Sequence, residues 1–266
     1  MEYDLIPVIL FFVCIFASSI GAVVGAGGGI IIKPLLDMLG ILPVSTVSFC
    51  SGCTVLGMSI SSLLRGRNDG VRLKLKTSTA LALGAVLGGL AGRALFDLIR
   101  SSFADERALG AIQAAALTLI TFLVYLYICK KDRLPSHTVD SLWLSVMIGL
   151  FLGAISSFLG IGGGTANVAV LFFFFSMEAK EAAKNSLYII VFSQISGIIS
   201  AVATNNVPEF SWINLFSMVA GGIGGALIGA AISKRINNAG VEKLLRALSL
   251  FIVAMSFYNV LKYTFF

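Results

Sequence analysis

Charge is scarce in this chain. Asp, Glu, Lys and Arg make up 12% of its 266 residues, about half the share of an ordinary globular domain. Hydrophobic residues make up 58%, and the mean hydropathy is +0.97. That composition excludes a water-soluble domain. Histidine occurs once, at His137. Hydrolysis inside a membrane would need an aspartate pair, a Ser/His set or an H-E-x-x-H helix, and none is present. The chain is therefore expected not to be an enzyme and to need no cofactor. Cysteine occurs four times, at Cys14, Cys50, Cys53 and Cys129, always inside an apolar segment. Cys50 and Cys53 form a C-x-x-C with no second pair, which reads as two small residues a helical turn apart and not as a metal or redox site. The ten-residue apolar alternation of a membrane β-barrel is also missing.

What is present is a series of apolar runs long enough to cross about 30 Å of hydrocarbon. Eight stand out: 5–24, 44–64, 77–99, 108–129, 142–160, 182–203, 212–232 and 244–263. The fold expected is all-α, a polytopic membrane protein. Glu2 and Asp4 stand where a signal peptide would carry basic residues, so the first run is expected to remain as a helix. Net charge is +6, but most of the Lys and Arg residues lie between the runs or near their ends. Membrane topology accounts for them, and no nucleic-acid partner is expected.

Two shorter apolar runs, 30–42 and 165–176, each follow a cluster of glycines: Gly25-Ala-Gly-Gly-Gly29 and Gly160-Ile-Gly-Gly-Gly164. A dozen residues at about 1.5 Å each are too short to span. Each long-plus-short pair is read as a hairpin that dips into the membrane and returns to its own side. Consecutive glycines break a helix, and in lipid such a break is tolerated only where it faces protein or a water-filled cavity.

From the glycines onward the chain repeats itself at an offset of 135, so that Ser51 matches Ser186 and Ser61 matches Ser196. Further on, Gly84, Gly88 and Gly92 match Gly221, Gly225 and Gly229 at an offset of 137. Small residues four apart suit close helix contacts in a membrane. One transmembrane domain is expected, with repeats at 1–133 and 134–266. The loop after the second long run carries Arg65, Arg67, Arg72, Lys74 and Lys76, whereas its counterpart, 204–209, carries no Lys or Arg. An odd number of crossings per repeat then makes the repeats inverted. With the first loop cytoplasmic, fourteen basic residues fall inside (those five with Lys130, Lys131, Arg133, Lys180, Lys184, Lys234, Arg235, Lys243 and Arg246). Four fall outside (Arg93, Arg100, Arg107 and Lys262). Both termini are expected outside.

The doubled G-x-G-G-G, Pro34 after its first copy, the serines Ser51 and Ser186, and the G-xxx-G-xxx-G helices resemble the sulfite and organosulfonate exporter family TauE/SafE over nearly the whole chain. The resemblance implies a multi-pass transporter of the inner cell membrane that exports small anions, sulfite or organosulfonates, by alternating access. An anion channel built on the same helix ends is the alternative. Expected partners are the anion, membrane lipid and, as a candidate, a second copy of the chain. The sequence departs from symmetry where Ala169 stands opposite Pro34.

Paired broken helices point to the substrate site of a repeat-built transporter. A helix that starts inside the membrane offers free N–H groups and a positive dipole end to an anion. This assigns Gly27, Gly28, Gly29 and Ile30 in the first copy, and Gly162, Gly163, Gly164 and Thr165 in the second. Asn167 opens the second short helix. Ser51 and Ser186 offer hydroxyls, and Asn185 and Gln194 offer amides in the second half only. Lys33, within a short run and four residues before Asp37, completes the expected substrate-binding set; an i,i+4 pair with Asp37 or snorkelling to the interface is the alternative reading.

Overall fold

The protein is described by a computed structural model covering residues 2–102, 106–133 and 138–265. His137 and the junction between the two repeats lie at or within 134–137, outside the described residues. Among the described residues there are ten α-helices, a 3-10 turn at Lys131–Arg133, and no strand. The first half holds α1 (Glu2–Val24), α2 (Gly29–Leu39), α3 (Val44–Arg65), α4 (Leu75–Ser102) and α5 (Glu106–Lys130). The second holds α6 (Leu142–Leu159), α7 (Gly164–Phe175), α8 (Ala179–Ala203), α9 (Trp212–Arg235) and α10 (Asn238–Phe265). Eight of these are long and apolar enough to cross a membrane; α2 and α7 are the short ones. Seven of the eight long helices extend past their apolar runs, because hydropathy marks only the lipid-depth part while polar turns such as 233–235 continue the hydrogen-bond ladder into the interface; α6 stops one residue short, at the left-handed Gly160. The short helices end slightly early, since Gly40 and Ser176 take left-handed conformations that cap them.

The small-residue rows are where backbones meet. On α4, a side chain at Gly84, Gly88 or Gly92 would overlap the α6 backbone at Val146, Leu150 or Ala154. On α9, the same holds for Gly221, Gly225 and Gly229 against Phe11, Ile15 and Ser19 of α1. Numbering rises together along each pair, so α4 runs parallel to α6 and α9 parallel to α1. Each half thus lends its glycine helix to the first helix of the other half.

At the centre α3 faces α8. Lys184 Nζ near the start of α8 donates to Gly66 O just past the end of α3 at 2.6 Å, while Gln194 lies beside Gly52. These two helices hold the same place in their halves and run antiparallel. The hairpin helices take matching positions, with α2 against α3 and α10 and α7 against α8 and α5. Inside lie Ile30, Ile31, Ile32, Leu36, Leu159, Leu171 and Phe172. Phe16, Leu98, Phe151 and Phe216 are exposed on the outside, as lipid contact requires.

Candidate functional site

The two glycine breaks meet each other. Gly25 and Gly27 have φ of +72 and +74, and Gly160, Gly162, Gly163 and Gly164 have φ between +63 and +115, conformations that only glycine adopts without strain. A Cβ placed on Gly27 would lie 3.7 Å from Gly162 O, and one on Gly29 would press on Ile161 O. Ile30 packs against Gly164. The breaks differ in detail. Gly28, which begins α2, is right-handed at φ −67, whereas Gly163 in the equivalent place is at +115.

Two side chains wedge the junction. Val55 of α3 reaches Gly27, Gly29 and Gly162, while Ile190 of α8 reaches Gly27 and Gly163. They lie 135 positions apart, as the breaks do. Nothing in the sequence separates them from other apolar residues of a membrane helix, so only the geometry identifies them. Met58 adds a third contact, its Sδ accepting from Gly28 N–H at 3.1 Å. That N–H was expected to be open to an anion and is occupied.

Polar groups ring the wedge. Ser51, one turn before Val55, is buried and its Oγ has no hydrogen-bond partner; the same holds for Thr165 Oγ1 and Asn167 Oδ1 at the start of α7. Ser18 Oγ, against Gly28, is likewise without a partner and was not singled out in the sequence. Other expected residues are committed elsewhere. Ser186 Oγ donates to Gly25 O at 2.6 Å, so this hydroxyl holds the first break to α8. Asn185 accepts from Lys74 N and Ser78 Oγ and donates to Arg72 O and Glu181 O; its amide is spent fastening the 66–74 loop and the start of α4. Lys33 donates to Asp37 at 3.1 Å and lines a small cavity apart from the breaks. The i,i+4 spacing that puts lysine and aspartate on one helix face turns both toward α5 and α10.

Two cavities approach the junction. The larger, about 340 Å3, has Arg65, Lys180, Lys184 and Lys234 at its mouth and Ala22, Leu63 and Leu187 at its depth. Ala22 and Leu187 belong to an apolar cluster with Val55, Met58, Ile190 and Ala226, of which Val55 and Ile190 reach the glycines. The smaller, about 30 Å3, is lined by Ser48, Gly52, Arg93, Ser157, Gly160 and Gln194 among others. The repeat relates the two. Ser48, Gly52, Ser157 and Gly197 of the small cavity match Ala183, Leu187, Ala22 and Ser62 of the large one at offset 135, and Arg93 matches Ala230 at 137. Arg93 closes the small one by donating to Asn206 O at 2.8 Å and pairing with Asp97 at 3.2 Å, its guanidinium over the Phe96 ring.

Eight candidate spans around paired broken helices define a multi-pass membrane protein of the transporter type. The family described as sulfite exporter TauE/SafE matches residues 10–258, and the chain belongs to that family. This places it among membrane transporters and not among enzymes. It is similar to "Probable membrane transporter protein YdhB" of Bacillus subtilis (strain 168), with 24% identity over 215 residues, covering 78% of this chain and 82% of that one. "Probable membrane transporter protein MJ0441" of Methanocaldococcus jannaschii is 24% identical over 214 residues, 77% of this chain and 75% of that one. The similarity to "Probable membrane transporter protein YunE" of Bacillus subtilis (strain 168), 25% over 116 residues, spans 44% of this chain and 41% of that protein. No solved structure gives a significant match.

Proposed function

We propose that this protein exports small anions, sulfite or organosulfonates, across the inner cell membrane by alternating access, with the anion held at the paired glycine breaks. The reading rests chiefly on one observation: the breaks meet between two cavities that the repeat makes equivalent, one about 340 Å3 and the other about 30 Å3. An inverted pair of halves can exchange the open and the closed cavity by swapping the conformations of the halves, which is how repeat-built carriers work. The antiparallel run of α3 and α8 supports the inversion. Ser51, Thr165, Asn167 and Ser18 bring polar atoms without partners to the junction, and glycine lets backbone N–H groups approach the ligand. The basic mouth of the large cavity raises the local anion concentration on its side. Val55 and Ile190 fill the space at the meeting breaks, and a filled junction favours a carrier over an open pore.

The test is flux from proteoliposomes loaded with sulfite or a short organosulfonate. Efflux should saturate and show counterflow. Absence of saturable flux for every sulfur oxyanion in the panel would overturn the substrate class, and unitary currents would replace the carrier by a channel.

A further inference from the structure

The cavity around Lys33 and Asp37 holds several buried oxygens without a hydrogen-bond partner. Lys33 Nζ donates to Asp37 Oδ2, and both side chains are buried in α2. Gln113 of α5 and Ser256 and Asn259 of α10 line the same cavity. Gln113 Nε2 donates to Phe158 O at 2.6 Å and Asn259 Nδ2 donates to Pro34 O at 2.7 Å. Those bonds orient both amides and leave their oxygens over. Asp37 Oδ1, Gln113 Oε1, Asn259 Oδ1 and Ser256 Oγ are all buried without a partner, and three of the four can only accept. Buried acceptors with no donor are costly, and such a set calls for a ligand that brings one.

Room decides which ligand. Lys33 already sits on one carboxylate oxygen, and Lys262 of α10 donates to Asp37 O and Met38 O at 3.0 Å each. The cavity is about 10 Å3, at most the room of a single water, which leaves none for an alkali cation. A proton on Asp37 Oδ1 needs no such room, and it turns an acceptor into a donor in a cavity shared with two oriented amide oxygens. The other helices around the pair add little: α6 and α7 contain no charged residue, α3 has only Arg65 at its far end, and Arg107 of α5 lies six positions before Gln113. The titratable thiols of these helices and of α1 are Cys14 of α1, Cys50 and Cys53 of α3 and Cys129 of α5; Tyr125, Tyr127, Cys129 and Lys130 lie at the end of α5 far from Gln113, and on α10 Tyr263 lies against Gly110.

We propose that Asp37, paired with Lys33 and faced by Gln113, Ser256 and Asn259, is a proton-binding site of the transporter. Its carboxylate takes a proton at Oδ1 from solvent, shares it with the amide oxygen of Asn259 or Gln113, and returns it to solvent. The site occurs once. The positions on α7 that match Lys33, Pro34 and Asp37 at offset 135 are Val168, Ala169 and Phe172, so the second hairpin carries an apolar face there. Because α2 starts at the first break, a rearrangement at the breaks moves Asp37 against α5 and α10. This couples the proton to the transport cycle whatever anion is carried.

The test needs no substrate. Acid-minus-alkaline infrared difference spectra of the purified full chain in nanodiscs should contain a carboxyl band set apart from those of solvent-exposed carboxyls. Asp37→Asn should remove it, and Asn259→Leu, which keeps the carboxyl, should shift it. Identical spectra for the wild type and both variants, each confirmed monodisperse, would overturn the proposal. So would a rise in melting temperature with NaCl over choline chloride that Asp37→Asn abolishes, since the cavity would then hold an alkali ion. In sulfite-loaded proteoliposomes, Asp37→Asn should lose the response of efflux to an imposed pH gradient while exchange persists. A response equal to the wild type would overturn the coupling. Should no sulfite flux exist at all, the spectra still decide the proton site.

Discussion

Gly25 and Gly70 have nearly the same φ, +72 and +74, in opposite surroundings. A Cβ on Gly25 would run into the Ala183 backbone, whereas around Gly70 there is open space. Gly70→Ala should therefore lose only the left-handed backbone term, about 1–2 kcal/mol. Gly25→Ala adds overpacking between the first break and α8, typically about 1–3 kcal/mol more. Thermal unfolding in detergent should show a clearly larger drop for Gly25→Ala, and equal drops would mean that the contact is soft. The serines separate in the same way. Ser186→Ala strands the Gly25 carbonyl and should cost stability by about 1–3 kcal/mol. Ser51→Ala removes a hydroxyl with no partner and should leave stability unchanged. On the proposed function it weakens sulfite binding by about 1 kcal/mol, read by calorimetry; unchanged affinity with unchanged stability would remove Ser51 from the site. The two serines look alike in the sequence because they sit at one offset. What distinguishes them is a carbonyl that reaches one hydroxyl and not the other.

At the level of elements, α4 carries a closing device that its counterpart α9 lacks. Arg93 ties α4 to the loop between α8 and α9 through Asn206, and Asn206 Nδ2 donates in turn to Asp97; the residue matching Arg93 is Ala230. Arg93→Ala should release the loop and open the small cavity. A cysteine at Ser48, in a protein otherwise free of cysteine, should then react severalfold faster with a membrane-impermeant maleimide. An unchanged rate would show that the closure is held by helix packing alone. The glycine rows call for the opposite treatment. Gly88→Ala would place a methyl on the Leu150 carbonyl, so it is a packing lesion, expected to lower stability before it touches transport. The rows were legible in the sequence because only small residues let membrane helices approach. The identity of the partner helix was not, since α4 could have met any helix with a flat face.

For the whole molecule, the distribution of basic residues sets the expected orientation. The mouth of the large cavity belongs to the face with Arg65, Lys184 and Lys234, the face rich in positive charge and expected in the cytoplasm. On a cysteine-free background, a cysteine at Arg67 should be protected from external reagent and one at Asn205 labelled. The reverse pattern would overturn the orientation, and labelling of both positions or of neither would overturn the inverted arrangement. Asn205 lies in the loop that Arg93 closes, so the same experiment ties the small cavity to the outer face.

The sequence by itself determined a great deal here, because a membrane allows few solutions. Apolar run length sets the eight spans, glycine clusters set the two breaks, and the repeated offset sets the equivalence of the halves. Each depends on local backbone chemistry or on solvent, and each was readable residue by residue. Side-chain commitment was not readable. Asn185 looked available to a substrate, yet it fastens a loop, and of the two readings of Lys33 the contacts show the i,i+4 pair with Asp37. Val55 and Ile190, which pack into the junction of the breaks, are ordinary apolar residues by every sequence measure. Tertiary structure alone decided these points. A donor or acceptor is free or spent according to which group from a distant helix arrives within about 3 Å of it, and that distance depends on how helices far apart in the chain pack together.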